Sequence, residues 1–526
     1  MKFSKLISMA CLCCIAFTAI EAKPRQNKAT GDEIIYHIFQ RSFFDSNGDG
    51  HGDLNGIRQK LDYLQELGVT SILCTPLYES IYYHNYFAID FEKIDPKYGT
   101  LHDYLMLIKE LHKRGMKFYM DMETQYVTED SKWWKEAYGN PKSEYSDYIL
   151  WDDHENKRPS TIVAGLTELK GYDGIIHKIT TANLNSEKSK AYNTKLFSYW
   201  LDPNHDGKFN DGVDGFRIDH MTDNLDNKGS LPHLFDTFWN PLFAKLRAIN
   251  PKIKIIAEQA NWLSLGLDYL DKGGVDRVFG IRLAYAIRLF RKDLFMANAD
   301  STLAMNPPGK QQIVFIENHD ITRYSSAVGG DIRKLKIGCA LNLLMGGTPA
   351  IYYGQELGMT GASQNFGPTD ANEIRERQAF DWYAVAQGKG MAYWYKQKGE
   401  HKDQFNDDKP NDGISLEEER KAPNSLFNYY KAMIRLRRSN SAITNGTYKT
   451  LDNDNSQVFS FIRRDGNKAV VVVINLSDKG QVAKVNVHGL AGKKIGVFIG
   501  MDMPAVSDGK MSVSLGEYGI GAWVVE

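Results

Sequence analysis

The sequence predicts an α/β protein: a (β/α)8 TIM barrel with a small domain inserted after strand 3 and a C-terminal antiparallel β-sandwich. Three observations predict it. Eight short, β-like apolar runs occur at 34–39, 70–74, 117–122, 213–218, 253–257, 276–281, 313–317 and 350–353. Helical periodicity lies between several of them: Ile57, Leu61, Leu64 and Leu67 recur at helical spacing before Gly68, and Leu105, Ile108 and Leu111 do so before Gly115. Strands alternating with such helices form parallel sheets. Finally, acidic residues follow three of the runs directly, and strand ends of a parallel barrel converge on one face.

The elements follow in order. Lys2 and Lys5 precede an apolar run from Leu6 to Ile20, closed by Ala22. That pattern reads as a signal peptide over 1–22, so export to the periplasm or the exterior is expected. Cys11, Cys13 and Cys14 fall inside it, and the residues ahead of them fit a lipoprotein box poorly. No later stretch is long and apolar enough to span a bilayer. The barrel is expected over 23–440. Between its third and fourth runs lies a gap too long for a structureless loop, read as an inserted domain at about 123–182. Its Trp133, Trp134, Tyr138, Tyr145 and Tyr148 are expected mainly to pack that domain. A polar segment at about 361–424 follows the eighth run and is expected over the active-site face, with Trp382, Tyr383, Trp394 and Tyr395 as candidates for sugar stacking or for anchoring the loop. From 441 to 526, alternating or apolar runs between Gly and Asp turns read as the β-sandwich. Cys74 and Cys339 read as buried free thiols. A net charge of −1 over 526 residues excludes a broad basic surface, so no nucleic-acid partner is expected.

The chemistry is concentrated in Gly-Val-Asp-Gly-Phe-Arg-Ile-Asp-His, residues 212–220. On a strand, Arg217 and Asp219 face the same side. The guanidinium is expected to lower the pKa of its neighbour, as suits a carboxylate nucleophile. Alone, such a pair is ordinarily structural. Here Glu258 follows the run Lys252–Ala257, and Glu317, Asn318, His319 and Asp320 follow Gln312–Ile316. Acids at three strand ends, with an Arg and a His, make a glycosidase-like set.

These blocks resemble the alpha-amylase family (glycoside hydrolase family 13). The resemblance rests on GFRIDH at 215–220, IIAEQANW at 255–262 and FIENHD at 315–320, supported by DSNGDGHGDL at 45–54, HNYFAIDFEKIDPKYGT at 84–100 and GTPAIYYGQELGM at 347–359, in the family's order. It implies a retaining double displacement with Asp219 as nucleophile, Glu258 as acid/base and Asp320 as transition-state stabiliser. Arg217 and His319 would hold the nucleophile and the sugar, and Tyr86 would be the aromatic platform. His220 and Tyr126 complete the expected substrate contacts. The expected substrate is a starch-like α-glucan or maltooligosaccharide. The alternatives are transglycosylation or α-glucosidase action at the same site, or an inactive carbohydrate-binding relative. The sequence departs from the family after Asp121, where Gln125–Tyr126 stands in place of the usual Asn-His, and at Asn183, where an aspartate is common.

Two loops carry a calcium pattern of alternate hard oxygens with a turn glycine. The first is Asp45, Asn47, Asp49 and Asp53; the second is Asp202, Asn204, Asp206 and Asp211. Loop position 12 of the first is Gly56, so it is not an EF-hand. Many family members carry that first loop as a calcium site. Structural Ca2+ is therefore expected, the alternative being an Asx-rich turn.

Overall fold

The computed structural model describes residues 33–525 apart from 227, 406–408, 489, 491–494 and 500–503. The 1–22 segment and its three cysteines lie outside the described residues. Eight parallel strands close the barrel in chain order: β1 (Ile35–Ile38), β2 (Ser71–Cys74), β3 (Lys117–Met122), β4 (Gly215–Met221), β5 (Lys254–Gln259), β6 (Arg277–Phe279), β7 (Gln311–Val314) and β8 (Thr348–Tyr352), with β8 pairing back onto β1. Each predicted run carries one of them. The strands read as near-continuous apolar runs because both faces are buried. Ile35, Leu73, Tyr119, Ile256, Ile313 and Ala350 pack together as one cluster, while their neighbours Tyr36, Ile72, Phe118 and Ile255 join the larger core. Strand β7 stops at Val314, short of the apolar run, so residues 315–320 form a loop that carries His319 and Asp320.

A buried polar knot closes the N-terminal mouth of the barrel. Glu33, just ahead of β1, pairs with Arg277 at 2.7 Å and accepts from the Tyr119 hydroxyl at 2.8 Å. Burial pushes the Glu33 carboxyl up, but Arg277, Lys117 and Tyr119 overcome it and hold the pKa at about 2. A carboxyl depressed in this way stabilises the fold above its unfolded value near 4.5, and that contribution is lost as pH falls towards about 2. Glu33→Gln is therefore expected to lower the melting temperature at neutral pH and to flatten its fall across that acid window. A variant with an unchanged acid limb would remove this knot from the acid response.

The inserted region is larger than 123–182. Its five-stranded sheet runs Tyr78–Ser80, Ala88–Ile94, Tyr126–Thr128, Ile176–Thr181 and Glu168–Lys170, so two strands come from the loop after β2. The physical reason is shared packing. Phe91, from that earlier loop, lies 5.6 Å from Trp133 and 5.1 Å from Tyr78. Trp133 packs on Tyr148 at 4.9 Å, and Trp134 stacks on Tyr138. These rings hold the region together.

In the segment 361–424, Trp382, Trp394 and Tyr395 are buried. Trp382 meets Phe380 at 4.2 Å and Phe43 at 5.2 Å, and Trp394 stacks on Tyr83 at 4.8 Å. Their place is to anchor the segment, which excludes sugar stacking for these three.

The C-terminal region has five- and three-stranded antiparallel sheets. In the strand Lys468–Asn475, Val471 and Val473 face the smaller sheet through Val485 and Val513, whereas Val470, Val472 and Ile474 belong to the core shared with the barrel. One sheet is thus buried on both faces. Cys74 and Cys339 are buried and free. No helix among the described residues is long and apolar enough to cross a membrane.

Candidate active site

The C-terminal strand ends bring two of the expected acids, Asp219 and Glu258, together with Asp121 around one guanidinium. Arg217 of β4 is 1 % exposed. Its Nη1 lies 2.7 Å from Asp121 Oδ2 and 2.5 Å from Asp219 Oδ1, and its Nη2 lies 2.8 Å from Glu258 Oε2. Asp219 and Glu258 therefore occupy different nitrogens of a single planar group. Such a fork fixes carboxylates in direction as well as distance. Glu258 also accepts from the His220 amide at 3.1 Å and, through Oε1, from the Trp262 indole at 3.0 Å.

A second knot holds Asp320. Arg377 Nη2 lies 3.1 Å from Asp320 Oδ1, its Nε donates to the His319 carbonyl at 2.9 Å, and its Nη1 donates to the Tyr83 hydroxyl at 2.7 Å. His319 Nε2 lies 3.1 Å from Asp320 Oδ2. Tyr86 links the two knots. Its hydroxyl donates to Asp121 Oδ2 at 2.8 Å and lies 2.7 Å from His319 Nε2, and its ring stacks on the His319 ring.

These groups floor a cleft of about 590 Å³ whose walls include Tyr86, Asp219, His220, Glu258, Trp262, Asp320, Asp370, Glu373 and Arg377. Arg217 and His319 lie beneath it, fully buried. Tyr126 does not reach it. The residue is 3 % exposed, packed behind Phe87 and His220, and its hydroxyl meets no partner. Glu317 is structural: it pairs with Arg323 at 3.2 Å and accepts from the Tyr324 amide.

The electrostatics correct the expectation for Asp219. Burial pushes its carboxyl well above the usual range, against Arg217, and the nearby Glu258, Asp121 and Asp320 add to the rise. Burial likewise brings Asp121 up to about 6 despite Arg217 and the Tyr86 hydroxyl. One arginine cannot neutralise every carboxylate packed on it, so the buried Asp121 and Asp219 carboxyls, both pushed up, titrate together. His319 is driven well below its ordinary value by burial, then by Arg377 and Arg217, and is neutral. Two acidic side chains held on one arginine, with a third set apart on its own arginine, are the groups that a double displacement at an acetal carbon requires.

Arg377, Asp370, Glu373 and His84 were absent from the sequence-derived site. The first three lie in a polar segment without periodicity, and only the fold folds it over the cleft. Trp262 and His84 lay inside quoted blocks, with no local sign of their contacts.

In the first acidic loop, Asp45 accepts from the amides of Asn47, Gly48 and Gly50, Asn47 from Asp49, Asp49 from His51, and Asp53 from Ser46 and Gly56. In the second, Asp202 accepts from Asp206 and Gly207, Asn204 from Asp206, and Asp206 from Lys208, while Asp211 Oδ1 is buried without a partner. Both loops are Asx turns as they stand, and among the described residues no three acidic, His or Cys side chains converge as a metal centre. Asp45 Oδ1 and Asp53 Oδ1 each accept two bonds, but Asp45 Oδ2, Asn47 Oδ1, Asp49 Oδ1 and Asp53 Oδ2 each accept from one backbone N–H and keep a lone pair, so in the first loop the donor set fits a hard cation in kind.

Comparison with known proteins shows the family and the fold. The family model described as "Alpha amylase, catalytic domain" matches residues 37–236 and 281–446, and "Maltogenic Amylase, C-terminal domain" matches 448–521. "Alpha-amylase 3" of Dictyoglomus thermophilum is 28% identical, over 84% of each chain. "Trehalose-6-phosphate hydrolase" of Bacillus subtilis is 28% identical, over 84% of this chain and 88% of its own. The crystal structure of alpha-amylase from H. orenii superposes with a TM-score of 0.75 at 26% identity, covering 94% of this chain and 99% of that one.

Proposed function

The chain belongs to the alpha-amylase family, and from that premise we propose that it is a retaining hydrolase of α-glucosidic bonds in neutral, starch-like α-glucans and maltooligosaccharides. The observation that carries the reading is the sharing of Arg217 by Asp219 and Glu258 at the floor of the cleft. Retaining pairs stand about 5–5.5 Å apart, and two carboxylates on one guanidinium are held close together.

Glu258 protonates the glycosidic oxygen while Asp219 attacks the anomeric carbon, forming a β-glycosyl enzyme. The aglycone leaves with that proton. Ionised Glu258 then takes a proton from water, the water oxygen attacks the same carbon, and Asp219 departs, leaving the α configuration. Asp320, held by Arg377, binds sugar hydroxyls more tightly as the ring flattens, which lowers the barrier. Tyr86 offers its ring to the sugar at the cleavage point.

Neutral substrates follow from charge. The cleft wall carries Asp219, Glu258, Asp320, Asp370 and Glu373 against Arg377, and Arg377 is already engaged with Asp320. Burial pushes the Asp219, Asp370 and Glu373 carboxyls up, so the case rests on the missing cation: a phosphorylated sugar would find no free positive charge in that wall. The test is product analysis with maltopentaose, isomaltose and trehalose 6-phosphate. Shorter α-configured sugars from the glucan and none from the phosphorylated disaccharide are expected. Longer sugars would reassign the chain to transfer, and cleavage of the phosphorylated sugar would overturn the charge argument.

Calcium is proposed for the first loop, where Asp45, Asn47, Asp49 and Asp53 would hold it. Its role would be to cross-link the loop; the hydrolysis needs no metal. Added Ca2+ is expected to raise the melting temperature over chelator-treated protein by a few degrees, roughly 1–3 kcal/mol of linkage, and Asp49→Ala is expected to abolish that rise. No response to Ca2+ would leave the loop as an Asx turn. Export rests on the 1–22 pattern alone.

A further inference from the structure

Strand β4 does not end as a regular ladder. Its pairing with β3 runs as far as Met122 opposite Ile218. Its pairing with β5 reaches Ala257 opposite Ile218 and then slips, so that Gln259 faces Met221. Asp219 and His220 form the bulge, and His220 takes a φ of 41°, in the left-handed region that a side chain with a Cβ disfavours. A bulge of this kind removes backbone groups from the ladder, and each then needs another partner.

Gln125 supplies it. Its side-chain Nε2 donates to the Asp219 carbonyl at 2.6 Å and reaches the His220 carbonyl at 3.4 Å. Nothing about this side chain is loose. It is 1 % exposed, its Oε1 accepts from the Thr124 amide at 2.8 Å, its own amide donates to Glu123 Oε1 at 2.5 Å, and its carbonyl accepts from Ala182 at 2.7 Å. The Asp219 side chain therefore hangs from a strained turn. Arg217 sets the position of its carboxylate, and Gln125 holds its main chain.

We propose that Gln125 is the positioning residue of the nucleophile: by binding the carbonyls that the bulge releases, it holds the turn that aims Asp219 at the anomeric carbon. This rests on the reading of Asp219 as nucleophile. It gives a physical reason for a glutamine at this position. A side chain one methylene shorter, from the same backbone, would not span the same gap to the β4 carbonyls. A displacement of about 1 Å in a reacting group is enough to cost on the order of 100-fold in rate.

The test uses Gln125→Met, which keeps length and removes the donor, and Gln125→Glu, whose carboxyl can donate only when protonated. Each is assayed with wild type and Asp219→Asn on 4-nitrophenyl α-maltoside, and maltose binding is measured by calorimetry. Gln125→Met is expected to lose kcat by about 100-fold with KM and maltose affinity within about threefold. Gln125→Glu is expected to recover towards wild type as pH falls, measured as the ratio of the two at each pH, because the protonated acid restores the bond to the carbonyl oxygen. Gln125→Met with more than half the wild-type kcat, beside an inactive Asp219→Asn, would overturn the positioning role and leave the nucleophile standing. An active Asp219→Asn would instead overturn the nucleophile, whatever the Gln125 variants do. Should Gln125→Met fail to fold, a Gln125→Glu ratio that stays flat with pH decides against the proposal.

Discussion

Asp219→Asn is expected to lower turnover by four orders of magnitude or more, about 5 kcal/mol or above of transition-state stabilisation, with little change in melting temperature. An amide is nearly isosteric with the carboxylate, and its oxygen can still accept from Arg217, which now sits 2.5 Å from Asp219 Oδ1. What it lacks is the electron pair that makes and later releases the acetal bond. The fold should tolerate the change, because burial and the neighbouring acids already disfavour a charge on Asp219, and a neutral amide relieves that strain. A companion variant separates chemistry from architecture. In Asp219→Gly, azide can attack the anomeric carbon in place of the missing carboxylate while the aglycone leaves, and a β-glycosyl azide should accumulate. Initial rates, thermal unfolding and the configuration of that product are the three measurements. Retention of more than about one part in a hundred of the activity, well above the loss expected of a missing nucleophile, would move the nucleophile to another residue.

Arg217→Met is expected to be the most destabilising change in the site. Removing the guanidinium leaves Asp121, Asp219 and Glu258 without the cation they share, and breaking a buried ion pair from one side costs about 3–5 kcal/mol. Loss of activity should accompany it, since both displacement groups lose their anchor. The instability should also depend on pH. Burial already raises Asp219 and brings Asp121 up to about 6, and without Arg217 both must rise further. An acid whose folded pKa lies above its unfolded value binds extra protons when folded, so stability falls as pH climbs from the unfolded value through the folded one. The deficit of Arg217→Met against wild type should therefore be small near pH 4 and grow through pH 6 and above. Denaturant midpoints at several pH values would measure it. A deficit independent of pH would mean that packing around the arginine, and not its charge, holds the cluster.

Much of the barrel was legible because its signals are local. Buried parallel strands must be apolar along their length, and a run such as Lys-Ile-Ile-Ala before Glu258 announces both the strand and the acid at its end. Arg217 and Asp219 could be placed on one side from the two-residue period alone. The inserted region was harder. Ala88–Ile94 and Tyr126–Thr128 pair across a gap that includes β3, and nothing in either segment states that the other will be its neighbour. The aromatics of the 361–424 segment stayed undecided between stacking and anchoring for a related reason. Trp382 and Trp394 look alike whether they face a sugar or a core, and burial against Phe43, Phe380 and Tyr83 is a property of the assembled chain.

The sequence by itself determined that Asp219 and Glu258 stand at the C-terminal ends of neighbouring strands, with Asp320 just beyond a third, because strand direction and period follow from short-range sterics and burial. Only the tertiary structure decided how those acids are charged and aimed. The raised Asp219 carboxyl depends on burial and on Asp121, Glu258 and Asp320 arriving from three other strand ends. Arg377 reaches Asp320 from 57 positions along the chain, and Gln125 crosses from the end of β3 to hold the end of β4. Charge and position at a site sum over everything within a few ångströms, and those neighbours are far apart in the chain.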